Sequence, residues 1–325
     1  VFENVIDMSA VDTLHRILLR SHQLPLITPK TLKQTSLGHL YSFATGSFVP
    51  EFVQSHVETL TVLQTAEWDD TILYVYSEKG YKTFSTYVRD IQRAQNFLKC
   101  MGIIPRKVSI HIIYIPGYKK TVKCENCVLS ANEVNSGFYS MGNIWIYRSQ
   151  ELLKTTLHEL CHAYGIDSST FNTIEMRYLP KLLNLQFGKD HPNGEVRLTE
   201  GVVDFIACLT MACLRTPEPY TKTLLTQNLQ LQQKHIFNQA KKILCVLSKT
   251  GSLENTHTYA YYVVKGILFY SLEESLLYFQ KNGWYVNTRD TLERFLRFLV
   301  AKNHFHLPAS TCEIGSKSLR MNVFE

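Results

Sequence analysis

Apolar positions along this 325-residue chain change their period near its middle. The front portion mixes short apolar runs with helical spacings, and the rear portion is spaced almost throughout for helices. Asp12 to Leu19 carries helical spacing that Pro25 and Pro29 end. Thr71 to Tyr76 reads as a strand. A helix follows from about Thr83 to Leu98, with Phe84, Tyr87, Val88, Ile91 and Phe97 apolar, and Gly102 and Pro105 stop it. Val108 to Ile115 is β-branched, apolar and closed by Pro116-Gly117, the pattern of an inner strand. A short strand near Gly137 to Tyr139, a turn at Met141-Gly142-Asn143 and a strand from Ile144 to Tyr147 complete a sheet. The next helix passes through Leu152, Leu153, Leu157, Leu160 and Ala163 to a stop at Gly165. Ser149 is placed to cap it, and Glu151 falls in its first turn.

Beyond Gly165 the spacing predicts helices over Thr173–Leu185, Thr199–Leu214, Leu224–Leu247, Tyr259–Phe279 and Thr291–Ala301, with a loop at Asp190-His191-Pro192-Asn193-Gly194. The fold class expected is α+β. A mixed α/β region covers residues 1–106, a sheet and its following helix cover 107–165, and a helical subdomain covers 166–325.

Composition excludes several classes. An apolar share of 45% with 19% charged residues suits a folded chain with a substantial core. The formal charge of +6 is scattered, as in Lys119-Lys120, Lys123 and Lys241-Lys242, and no nucleic-acid motif accompanies it, so no nucleic acid is expected. No transmembrane segment is expected either, because the longest apolar stretch, Gly201 to Leu214, is short and contains Asp204. Eight cysteines are too sparse for a disulfide scaffold, and no Asn-x-Ser/Thr sequon occurs, which leans toward a reducing compartment. Cys124-x-x-Cys127 has the spacing of half a zinc knuckle or a redox pair. With no second pair to match it, it reads as a turn with two thiols, a disulfide being the rival reading. His304 and His306 read as surface residues.

The sharpest chemistry is His158-Glu159-Leu160-Cys161-His162. Residues four apart on a helix have Cβ atoms roughly 6 Å apart on one face, so both imidazoles can reach one ion. Zinc asks for nitrogen ligands at about 2.0–2.1 Å, which a rigid helix provides without ordering a loop. Glu159 projects about a hundred degrees away around the axis and is free to act as general base on a zinc-activated water. A third ligand is available in Glu200-Gly201-Val202-Val203-Asp204, where Glu200 and Asp204 again share a helix face. Glu200 would bind the ion, and Asp204 would accept the outer ring N–H of His158. Two carboxylates would not sink into so apolar a helix without partners. Gly201 permits close approach of another helix. Cys161 occupies a variable position of the motif and is expected to pack at the subdomain interface.

His158 to His162 with Glu200 to Asp204 resembles the gluzincin division of the zincin metallopeptidases. The absence of a His-x-x-Gly-x-x-His extension after His162 separates the chain from the metzincins. The resemblance implies a zincin-like fold and a zinc-dependent peptidase. His158, His162 and Glu200 then act as metal ligands, Glu159 as the catalytic glutamate and Asp204 as the aspartate behind a ligand. It also implies an edge strand along the cleft. Ile144 to Tyr147 fits that strand by position, and Asn143 and Trp145 would then touch substrate. Gluzincins steady the oxyanion with a His or Tyr from the helical subdomain. His257 and Tyr261 are preferred here, because Tyr259 and Tyr262 share an apolar face; His191 is a further candidate. The partner expected is a peptide or protein substrate, with a protein partner or larger assembly left open. The alternative is a zincin-like protein in which the metal holds a groove that binds without cleaving.

Overall fold

The structure is a computed structural model and describes residues 8–31, 51–115, 135–187, 194, 196–251, 257–303 and 323–324. Cys124, Cys127, His191, His304 and His306 lie outside the described residues.

The strands β1 (Val62–Trp68) and β2 (Thr71–Ser77) form an antiparallel hairpin that turns at Asp69, whose φ is +44°. Before them stand α1 (Met8–Gln23) and α2 (Glu51–Val57), and after them α3 (Phe84–Cys100). That crossover helix returns the chain so that β3 (Val108–Ile113) pairs parallel with β2. The strands β4 (Gly137–Ser140) and β5 (Asn143–Ile146) form a second hairpin. Its turn residues Met141 (φ +48°) and Gly142 (φ +82°) are both left-handed, as a two-residue hairpin turn that matches strand twist requires. The sheet order is β1-β2-β3-β5-β4.

This order corrects the expectation for the edge strand. The second strand of the hairpin, β5, lies inside the sheet and pairs parallel with β3, which among the described residues leaves β4 at the edge. Adjacency to the following helix in sequence does not decide which hairpin strand lies outermost; pairing with β3 does.

One face of the sheet, with Ile110, Ile112, Ile144 and Ile146, packs into the main core with α3 and α4 (Leu152–Ala163). The other face carries Tyr76, Ile113 and Tyr147 against Val53 and Val57 of α2. The remaining elements are helical: α5 (Asn172–Phe187), α6 (Glu200–Leu214), α7 (Lys222–Thr250), a π-helical segment (Tyr259–Val264), α8 (Lys265–Tyr270), α9 (Leu272–Asn282) and α10 (Arg289–Lys302). The single helix expected over Tyr259–Phe279 is therefore three pieces, interrupted at Ser271 and wound as a π-helix at its start.

Helix α6 is buried on every side from Glu200 to Cys213, which explains why its sequence is apolar all round. It packs against α4, α7 and the π-helical segment. The main core runs without a break from Leu14 of α1 to Leu299 of α10. The boundary drawn near residue 106 falls inside one five-stranded sheet, and α1 packs on α3 and α7. No helix among the described residues is long and apolar enough to cross a membrane.

Candidate metal centre

Helix α4 starts later than its sequence suggests. Glu151 takes a left-handed conformation (φ +60°) at the N-cap, without a side-chain cap, so Ser149 does not cap the helix. Leu157 and Leu160 are fully buried and fasten the helix to the core, each burial contributing about 1.5–3 kcal/mol. His158 and His162 lie on the side that meets α6. Gly165 (φ +73°) ends the helix, its N–H donating to the His162 carbonyl at 2.9 Å, and the Arg106 guanidinium lies over it.

The third group arrives on the first turn of α6. The Thr199 N–H donates to the buried carboxylate of Glu175 at 2.8 Å, which ties the entry of α6 to α5. The next residue is Glu200. Gly201 beside it lets the π-helical segment come close: a Cβ there would lie 2.4 Å from Val264 Cγ1 and 3.0 Å from the Ala260 carbonyl.

The inner atoms converge. His162 Nε2 is 3.1 Å from His158 Nε2 and 3.1 Å from Glu200 Oε2, and His158 Nε2 is 3.3 Å from the same oxygen. The outer nitrogens are already committed. His158 Nδ1 donates to Asp204 Oδ1 at 2.9 Å and His162 Nδ1 donates to Asp167 Oδ1 at 2.8 Å. In the neutral rings both Nε2 atoms are then lone pairs, and with the Glu200 oxygen they make three acceptors with no donor among them. Such a set calls for a cation. Bonds of zinc length arranged tetrahedrally put ligand atoms about 3.3–3.4 Å apart, close to the spacing found. The residues therefore fit a divalent metal ion.

The groups behind the ligands differ on the two sides. Asp204 is fully buried and takes Lys154 on Oδ1 and Lys265 on Oδ2, the latter at 2.5 Å. Asp167 takes Arg197 Nη2 at 2.7 Å, and Arg197 Nη1 reaches Glu200 Oε1 at 3.1 Å. Arg197 thereby occupies one oxygen of Glu200 and leaves the other for the ion.

Electrostatics follow this pattern. Burial opposes charge on both histidines, but Asp204 and Glu200 outweigh it at His158, and Glu200 and Asp167 at His162, so both rings titrate above the ordinary histidine value. Burial also opposes the charge on Glu200, yet the two histidines hold its carboxyl well below the usual range. Binding of an ion there competes with protonation of the two rings.

The site opens on a cavity of about 550 Å³ whose walls include Glu159, Tyr261, Arg197 and the strand β4. Burial pushes the Glu159 carboxyl above the usual range, with the two histidines pulling it back in part. The Tyr261 ring stands edge-on to His158, centroids 5.5 Å apart, and burial with Glu200 and Glu159 holds its phenol well above the ordinary value. Tyr259 and Tyr262 are buried. His257 (φ +56°) accepts from the Arg197 backbone N–H at 3.2 Å.

Asn143 and Trp145 are not brought to the cavity. Trp145 points to the far face of the sheet and stacks on His111 at 4.1 Å, while Asn143 Nδ2 donates to the Met141 carbonyl at 3.2 Å. The one-residue alternation of β5 turns Ile144 and Ile146 toward α4 and Trp145 away. Cys161 is fully buried in the main core.

Sequence reasoning missed Asp167, Arg197, Lys154, Lys265 and Glu175. Lys154 had a trace, being four residues before His158 on the same helix face. Lys265 had another, a lone cation in the apolar run from Tyr259 to Phe269. Asp167, Arg197 and Glu175 come from separate loops and helices, with no spacing rule to connect them.

The chain matches no family model, no curated protein and no solved structure. Its geometry is consistent with a zinc-coordinating catalytic site of the kind that performs metal-activated peptide hydrolysis, rather than with a purely structural motif. Mixed sheet, motif-bearing helix and helical subdomain follow one another as in a zincin-like fold. His158-Glu159-x-x-His162 on α4, with Glu200 as the downstream ligand, matches the metal-binding arrangement of the gluzincins.

Proposed function

We propose that the chain is a zinc-dependent endopeptidase acting on peptide or protein substrates. One observation carries the reading: three lone pairs from α4 and α6 converge beside a carboxylate, Glu159, in the wall of an open cavity. Two imidazoles and one carboxylate suit zinc. Held by His158, His162 and Glu200, zinc supplies Lewis acidity and lowers the pKa of water at the site.

The chain's own residues do the rest. Glu159 accepts the proton of the attacking water and returns it to the leaving amine nitrogen, and its raised carboxyl pKa suits a group that must take and give a proton. Tyr261, kept protonated, donates its phenol O–H to the oxygen on which charge develops. His257 does not line the cavity; its Nδ1 accepts from the backbone N–H of Arg197 behind that wall. The outer edge of β4 offers backbone N–H and C=O groups to an extended substrate, taking the role expected of β5.

Metal analysis with digestion of a peptide library, native chain against Glu159→Gln, tests this. About one zinc per chain is expected in both, with cleavage slowed about 10²–10⁴-fold in the variant. Cleavage undiminished in the variant, or no metal bound by the native chain, refutes the reading.

A further inference from the structure

Two buried ammoniums converge on Asp204, one of which, Lys154, also feels the charge of the buried Glu151. Its Oδ1 is shared between His158 Nδ1, at 2.9 Å, and the Lys154 ammonium; its Oδ2 takes the Lys265 ammonium at 2.5 Å. Lys154 and Lys265 are 2% and 1% exposed, so water screens neither. A single buried cation would satisfy the carboxylate, and burying a second is costly. Cys208 Sγ lies 3.8 Å from Lys265 Nζ, and Glu151 acts on Lys154 from the turn before it.

A bare carboxylate behind a metal-bound histidine strengthens that ring as a donor. Here the carboxylate is spoken for. We infer that Lys154 and Lys265 are positioning residues of the metal centre, which act through Asp204 to orient His158 while cancelling the charge that would make it a stronger donor. The inference rests on the zinc reading above. Its consequence has a definite sign: removing either ammonium frees negative charge toward His158 and takes a cation away from the ion. Zinc is then held more tightly. A lysine whose charge is not felt at His158 or at the ion would, on removal, loosen the metal or leave it unchanged.

Zinc affinity, measured by competition with a chromophoric chelator, tests this alongside steady-state kinetics. Lys265→Met keeps the length of the aliphatic stem and removes the charge. It is expected to bind zinc at least about tenfold more tightly, from the loss of a nearby positive charge. Its kcat falls as the ion becomes less electrophilic, and KM stays unchanged because neither lysine lines the cavity. Lys154→Met is the second variant and moves both quantities the same way. Lys265→Arg, which keeps the charge, returns them toward the native values. Unchanged or weaker zinc binding in folded Met variants overturns the inference. So does unfolding of both in the metal-free state while the native chain stays folded, for the lysines would then be structural counter-ions only. Failure of the native chain itself to bind zinc defeats the peptidase reading instead.

Discussion

His158 and His162 stand one turn apart on α4 and offer the same atom to the same ion, yet the groups behind them have little in common. Behind His158 lies a sealed chain of charge, Asp204 with Lys154 and Lys265, all at most 2% exposed. Behind His162 lies Asp167 with Arg197, whose side chain is 25% exposed on the cavity wall. The difference follows from depth. A carboxylate inside an apolar helix such as α6 has no water to solvate it, so the protein must bring cations to it from two other elements. The Asp167 carboxylate, its side chain 4% exposed on the cavity wall, is held by one guanidinium that itself reaches solvent and also holds Glu200. The buried side thus couples the metal centre to the core, and the rim side couples it to the cavity.

The sharpest way to break this comparison is to remove the buried carboxylate. Asp204→Ala leaves Lys154 and Lys265 without their acid, and the metal-free chain should lose about 3–5 kcal/mol in urea denaturation. A loss below that of an ordinary surface substitution would mean that the buried side is not what ties the centre to the core.

A second measurement concerns Glu175, which holds the entry of α6 from below. Burial raises its carboxyl to about 7, against the opposing pull of the Thr199 N–H. The unfolded chain releases that proton near pH 4.5 and the folded chain only near pH 7. The contribution is therefore fully present below pH 4.5 and is lost as pH rises through 7. Glu175→Gln keeps an acceptor for Thr199 and has no proton to lose. At pH 8 it should be more stable than the native chain by about 3 kcal/mol, with the gap closing toward pH 4.5. Equal pH profiles for the two chains would show that Glu175 is ionised in the fold at neutral pH.

The rim side should respond least in stability. Asp167→Asn leaves Arg197 paired with Glu200 and should cost less in denaturation than Asp204→Ala. Its effect falls on the ion, with zinc affinity about 10–100-fold lower. A stability loss equal to that of Asp204→Ala would erase the distinction between the two sides.

Local pattern was enough for much of this. The period of apolar residues located β2, β3, β5, α3 and most helices after Gly165, because burial against the core is written into the sequence of each. The i,i+4 spacing likewise marked His158 with His162 and Glu200 with Asp204, since a helix converts sequence spacing into a shared face. Elements with weak or mixed periodicity, β1 and α2, were not legible.

Only the tertiary structure decided the rest. Which hairpin strand lies at the edge depends on which one β3 accepts, and so moved the cavity wall from β5 to β4. The close approach of the π-helical segment to α6 depends on Gly201, a residue far away in sequence whose missing Cβ leaves room for Val264 and the Ala260 carbonyl. Lys154, Lys265, Asp167 and Arg197 acquire meaning only when four separate segments meet around the histidines. Helical and strand periods are enforced between neighbours along the chain and leave a record there. The pairing of buried charges is enforced across space, and a single chain keeps no periodic record of it.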